Sequence, residues 1–181
     1  AQRLRQGAKK GCAVSLLDVS ADDQLLPVAN RQTVAPADLA GALAKVLKAA
    51  LQAKGEAIPE ALQSVEVDSF ATQVAASLSQ GEKAAVFLGS AGVQGHQASQ
   101  LHGLAQQLAQ VCGATLGFIG EAANSVGGYL AGLASKNANA QSLLTSGRQA
   151  YFLLGAEPEY DFANPAQTLE ALKGAQMVVM A

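Results

Sequence analysis

At 181 residues and 18.3 kDa, half of them hydrophobic and only 14% charged, the chain can bury one good core, with two unequal lobes expected. This alanine-rich composition without tryptophan excludes a disordered chain. A net charge of -2 and a pI near 5.6 lack the broad basic footprint of a nucleic-acid partner, and no apolar run approaches membrane-span length, so neither nucleic acid nor direct membrane insertion is expected.

Arg3 to Lys10 reads as the last turns of a helix closed by Gly11, its basic residues forming a solvated face. Cys12 to Val19 is a mostly apolar run ending at Asp18, the pattern of a strand buried on both faces. Residues 20 to 35 are polar and predict an irregular segment. Pro36 occupies a first helical position, and Leu39, Leu43, Val46, Leu47, Ala50 and Leu51 then fall on one helical stripe that ends at Lys54-Gly55.

Pro59 interrupts the chain, and a lobe boundary is expected between residues 55 and 66. The expected organisation is a partial α/β lobe over 1–62 and a main Rossmann-like lobe over 63–181. Asp68 is placed to cap a helix with the apolar face Phe70, Val74 and Leu78, stopped by Gly81. Ala84 to Leu88 predicts a strand that runs directly into Gly89-Ser90-Ala91-Gly92-Val93-Gln94-Gly95. A long helix follows with Leu101, Leu104, Leu108 and Val111 on one side; Gly113 closes it and the strand Ala114 to Ile119 begins. Beyond a polar stretch at 135–141, Leu143-Leu144 anchors a short helix, Ala150 to Leu154 is a strand, Pro165 starts a helix and Met177 to Met180 is a last strand. Strand and helix alternate with short connections, which predicts an α/β fold: Rossmann-like, with a mostly parallel sheet and helices on both faces.

Three groups of residues invite chemistry. Gly89, Gly92 and Gly95 lie between a strand and a helix, where glycine lets backbone N–H groups approach a pyrophosphate, and Glu121, at the end of the next strand, is placed to hold a ribose hydroxyl. The spacing is G-x-x-G-x-x-G rather than G-x-G-x-x-G, and Gly95 to Glu121 exceeds the usual interval of about 20 residues; a tight turn without a ligand gives the same sequence. Glu157, Glu159 and Asp161 form an acidic cluster at a strand end, able to take Mg²⁺ or share a proton, or to be an ordinary exposed turn around Pro158. His96 and His102 are six apart on one helix, not on adjacent turns, and Ser90 lacks the G-x-S-x-G elbow of a nucleophile. Cys12 and Cys112 have no second Cys or His at metal-ligand spacing; two buried free thiols in a reducing compartment are expected, with a single disulfide the alternative. No catalytic, cofactor-binding or metal-ligating residue is assigned from these patterns.

Several stretches together carry a resemblance. A strand ending Leu16-Leu17-Asp18 is followed by Pro36-Ala37-Asp38-Leu39-Ala40-Gly41-Ala42-Leu43 and by Val86-Phe87-Leu88-Gly89. Glu121-Ala122-Ala123-Asn124-Ser125-Val126-Gly127 and Leu154-Gly155-Ala156-Glu157-Pro158-Glu159-Tyr160-Asp161 complete the pattern. Over nearly its whole length the chain resembles the molybdopterin oxidoreductase superfamily. Within it, the chain resembles the family of the large G-type subunit of bacterial NADH-quinone oxidoreductase, respiratory complex I. Pterin-binding members typically carry Asp-Pro-Arg after the first strand and an Asn-Pro pair later, where this chain has Asp18-Val19-Ser20 and Glu157-Pro158. The resemblance therefore implies a scaffold region without a cofactor of its own. It would pack against other complex I subunits in the peripheral arm on the cytoplasmic side, with the iron–sulfur clusters held elsewhere in the full-length polypeptide. A piece of a longer polypeptide is expected, since Ala1-Gln2-Arg3-Leu4 reads as mid-helix and Met177-Val178-Val179-Met180-Ala181 as mid-strand. The alternative is a nucleotide- or molybdopterin-binding Rossmann-like domain using Gly89 to Gly95 and Glu121.

Overall fold

The computed structural model describes residues 2–120, 122, 124–133 and 138–181. Contacts divide the chain into two compact units, Ala1–Glu121 and Ala122–Ala181.

The first unit is organised on helix α2 (Leu39–Lys54), which is entered through a 3-10 turn at Pro36–Asp38. All six residues of the expected stripe, Leu39, Leu43, Val46, Leu47, Ala50 and Leu51, are buried. Helices α4 (Ser69–Gln80) and α6 (Ala98–Cys112) both pack on α2. Small residues, Ala50 on α2, Ala71 on α4 and Ala105 on α6, have no exposed surface and let the backbones approach, while Leu47 and Leu108 fill the space between. Glycine ends two of these helices as the sequence predicts: Gly55 and Gly113 take left-handed conformations, at φ 68° and 65°, that a side chain resists. Of the other helices here, α1 (Gln2–Lys9) buries none of its residues, and α3 (Glu60–Gln63) contributes Leu62 to the core.

The expected boundary at residue 62 does not divide this core. Leu62, Val65 and Val67 pack into the same cluster as α2, α4 and α6, because Gly55 and Pro59 mark a turn and not the end of a hydrophobic unit. Lysines on α2 fasten the connection that follows. Lys48 Nζ donates to the carbonyls of Gln63 and Val65, both at 2.7 Å, and Lys45 Nζ lies 3.1 Å from Asp68 Oδ2.

Asp68 is the α4 cap that the sequence predicts: its Oδ1 accepts from the Ala71 N–H at 2.8 Å. That bond first, and then Lys45 against partial desolvation, holds the carboxyl below its ordinary value of 3.8. A depressed folded value means the stabilisation is complete above the unfolded carboxylate value and is lost as pH falls through the lower folded one. Asp68→Ala is expected to lower the unfolding free energy by about 1 kcal/mol at pH 7 and by clearly less at pH 2, with Asp68→Asn losing at pH 7 the charge-dependent part of the cap. Urea denaturation at the two pH values checks this, and an equal loss at both would refute the assignment.

The strands pair in parallel, within a mixed α/β fold. Among the described residues they form separate two-stranded ladders and not one continuous sheet. β1 (Ser15–Asp18) pairs with β2 (Asn30–Thr33), and β3 (Ala85–Leu88) with β4 (Thr115–Phe118). β2 falls in the segment expected to be irregular. Its Asn-Arg-Gln-Thr sequence has no apolar alternation, and it is held by the ladder and by Asn30 Nδ2 donating to Ser15 Oγ at 3.0 Å. β1 is half-buried at all four positions instead of buried on both faces.

β3 and β4 flank α5 (Ser90–Gln94) and α6 in chain order, a βαβ unit. Leu88 is buried, and the Phe118 ring meets His102 of α6 edge to face, at 5.3 Å between centroids. On the opposite face Phe87 lies over Gly117 and is half exposed, as is Ile119. That face departs from the expectation of helices on both sides. Cys112 is buried, and desolvation raises its thiol's pKa; Cys12, expected buried, is exposed, and both are free thiols.

In the second unit, β5 (Ala150–Leu153) and β6 (Met177–Met180) pair in parallel and flank α9 (Pro165–Lys173). Asn164 caps α9 through the Gln167 N–H, and Thr168 and Leu172 are buried. Two shorter helices precede them, α7 (Ser125–Leu130) and α8 (Ala140–Thr145); Asn139 and Ser142 close a capping box on α8. Tyr151 reaches back to this segment, its hydroxyl donating to the Leu143 carbonyl at 3.2 Å.

Candidate functional site

The sequence directs attention to the turn after β3. There the backbone folds at once into α5, with the Gly92 and Val93 N–H groups both donating to the Gly89 carbonyl, at 2.9 and 3.2 Å. Gly92 is buried inside this turn of helix, where a Cβ would stand 3.2 Å from Leu88 Cδ2. Its smallness serves helix-to-strand packing. Gly89 and Gly95 lie outside the left-handed region, at φ -90° and -74°, so neither conformation requires glycine. Glu121, the expected ribose partner, lies outside the described residues.

A cleft does open at this place. The end of β1, the start of α2 and the α5–α6 turn border a half-open cleft of about 730 Å³, within the range of small-molecule sites. Val19, Pro36, Leu39 and Leu101 give it apolar walls, and Ser90, Gln94, His96 and Gln97 supply polarity. It sits beyond the carboxyl ends of parallel strands, the usual place for ligands in α/β folds. Among the described residues no Lys, Arg, Asp or Glu lines it. Gln97 braces the cleft: its Nε2 donates to the Ala37 carbonyl at 2.9 Å, joining the start of α6 to the turn before α2. Its Oε1 is shut off from solvent and has no hydrogen-bond partner among the described residues. Sequence reasoning missed Gln97, and no local signal marks it, because its partner is 60 residues away.

The acidic cluster resolves into a turn. Asp161 Oδ2 accepts from the Glu157 N–H at 2.6 Å, while the Tyr160 and Asp161 N–H groups donate to the Glu157 carbonyl at 3.0 and 2.9 Å. This closes the loop on Pro158, which is buried where an exposed position was expected; Glu159 and Tyr160 point outward. Among the described residues no group of three His, Cys, Asp or Glu side chains is arranged to hold a metal ion. His96 lines the cleft and His102 packs on Phe118, so the two do not form a pair. No helix among the described residues is long and apolar enough to cross a membrane.

Apolar side chains are exposed on α7 and just after it, at Val126, Leu130 and Leu133, and on the strands of the second unit. All four residues of β6, Met177, Val178, Val179 and Met180, are exposed. Phe152 is 67% exposed and stands directly across from Val179, and Leu154, just beyond β5, is 76% exposed. Parallel strands of this composition are ordinarily covered on both faces.

What fold and site define together is a mixed α/β protein with parallel strand pairs, a cleft of apolar and polar side chains at strand ends and exposed apolar strand surfaces. No protein-family model, curated protein or solved structure matches the chain.

Proposed function

We propose that this chain is a non-catalytic scaffold region of the large G-type subunit in the peripheral arm of NADH-quinone oxidoreductase. In that role it packs against other subunits of respiratory complex I on the cytoplasmic side of the membrane. It supports electron transfer from NADH to quinone through iron–sulfur clusters held elsewhere in the same polypeptide. The observation that carries this reading is the bare apolar strand surface, Phe152, Leu154 and the whole of β6, which suits burial against neighbouring protein. The stretches Glu121 to Gly127 and Leu154 to Asp161 supply the likeness that gives the neighbour its name.

A second reading is favoured by the cleft alone: a nucleotide- or pterin-binding domain in which Gly89 to Gly95 forms one wall and Glu121 holds the ligand. Thermal melts with NADH, GDP or Mg²⁺ separate the two. On the scaffold reading the melting temperature stays constant with each ligand at millimolar concentration. A ligand present at a hundred times its Kd would add about 2.7 kcal/mol of stability, a rise of several degrees. A rise of that size, lost in Glu121→Ala or in the cleft-filling Ala91→Trp, would overturn the scaffold reading.

A further inference from the structure

We draw no further inference here: the strongest candidate, the cleft between the end of β1, the start of α2 and the α5–α6 turn, belongs to the site already described, and Gln97 Oε1, which has no hydrogen-bond partner among the described residues, is shut off from solvent and so identifies no ligand chemistry.

Discussion

Replacing Leu47 with alanine is expected to destabilise the first unit by about 2–5 kcal/mol, on the order of a third of the total stability of an average domain. Leu47 is 1% exposed on α2, the helix on which both α4 and α6 pack. The neighbours of a truncated Leu47 are helices fixed along their length, so the cavity cannot collapse fully and the loss exceeds the transfer term alone. Leu108→Ala, at 2% exposure on α6, is expected to cost a similar amount. The two residues belong to one cluster, so the double variant should depart from additivity. Chemical denaturation of the three variants measures this. Losses below about 1 kcal/mol for both single variants would mean that α2 is not the centre of this unit.

The second large effect falls on assembly. Phe152 and Val179 are cross-strand neighbours on an exposed apolar surface, so Phe152→Asp with Val179→Asp should change the stability of the isolated chain by only about 1 kcal/mol. If the proposed scaffold role holds, the same pair would bury carboxylates without partners at the interface, at a cost of several kcal/mol. Roughly 1.4 kcal/mol is a factor of ten, so assembled complex should fall about tenfold or more. Lys173→Ala is the control: its pair with Glu170 is highly exposed, and its loss should leave assembly unchanged. Native gel electrophoresis with activity staining reads both outcomes. Normal assembly of the double aspartate variant would remove the reason for regarding this surface as an interface.

Much of the helical layer was legible in the sequence because it depends on local signals. The stripe on α2, the Asp68 cap on α4 and the glycines after α2 and α6 each follow from periodicity or backbone conformation within a few residues. Strand positions were legible to within a residue or two for β3, β4, β5 and β6, where short apolar runs lie between turn residues. Their association was not, because a four-residue apolar strand carries no record of which neighbour it pairs with. β2 escaped notice because its polar side chains gain their place from a ladder with residues 15 positions earlier. Beyond the turn at Gly55 and Pro59, Leu62, Val65 and Val67 join the core through tertiary packing and the α2 lysines, which the local turn signals do not show.

The site was legible as a location and less so as chemistry. The strand-to-helix turn at Gly89 is where the sequence puts it, and Gly92 within it packs against Leu88. The cleft walls come from residues between 19 and 101, and Gln97 joins segments 60 positions apart, a juxtaposition that no spacing rule anticipates. Asp161 takes part in its own loop, its Oδ2 accepting from the Glu157 N–H, a contact that the spacing of the carboxylates does not reveal.

The scaffold role is tested most directly by the native mass of NADH-quinone oxidoreductase from cells in which this region is deleted from the large G-type subunit, read alongside the electron paramagnetic resonance of its iron–sulfur clusters. The proposal predicts depletion of the assembled complex with cluster signals retained in the truncated polypeptide. A fully assembled, active complex without the region would contradict it.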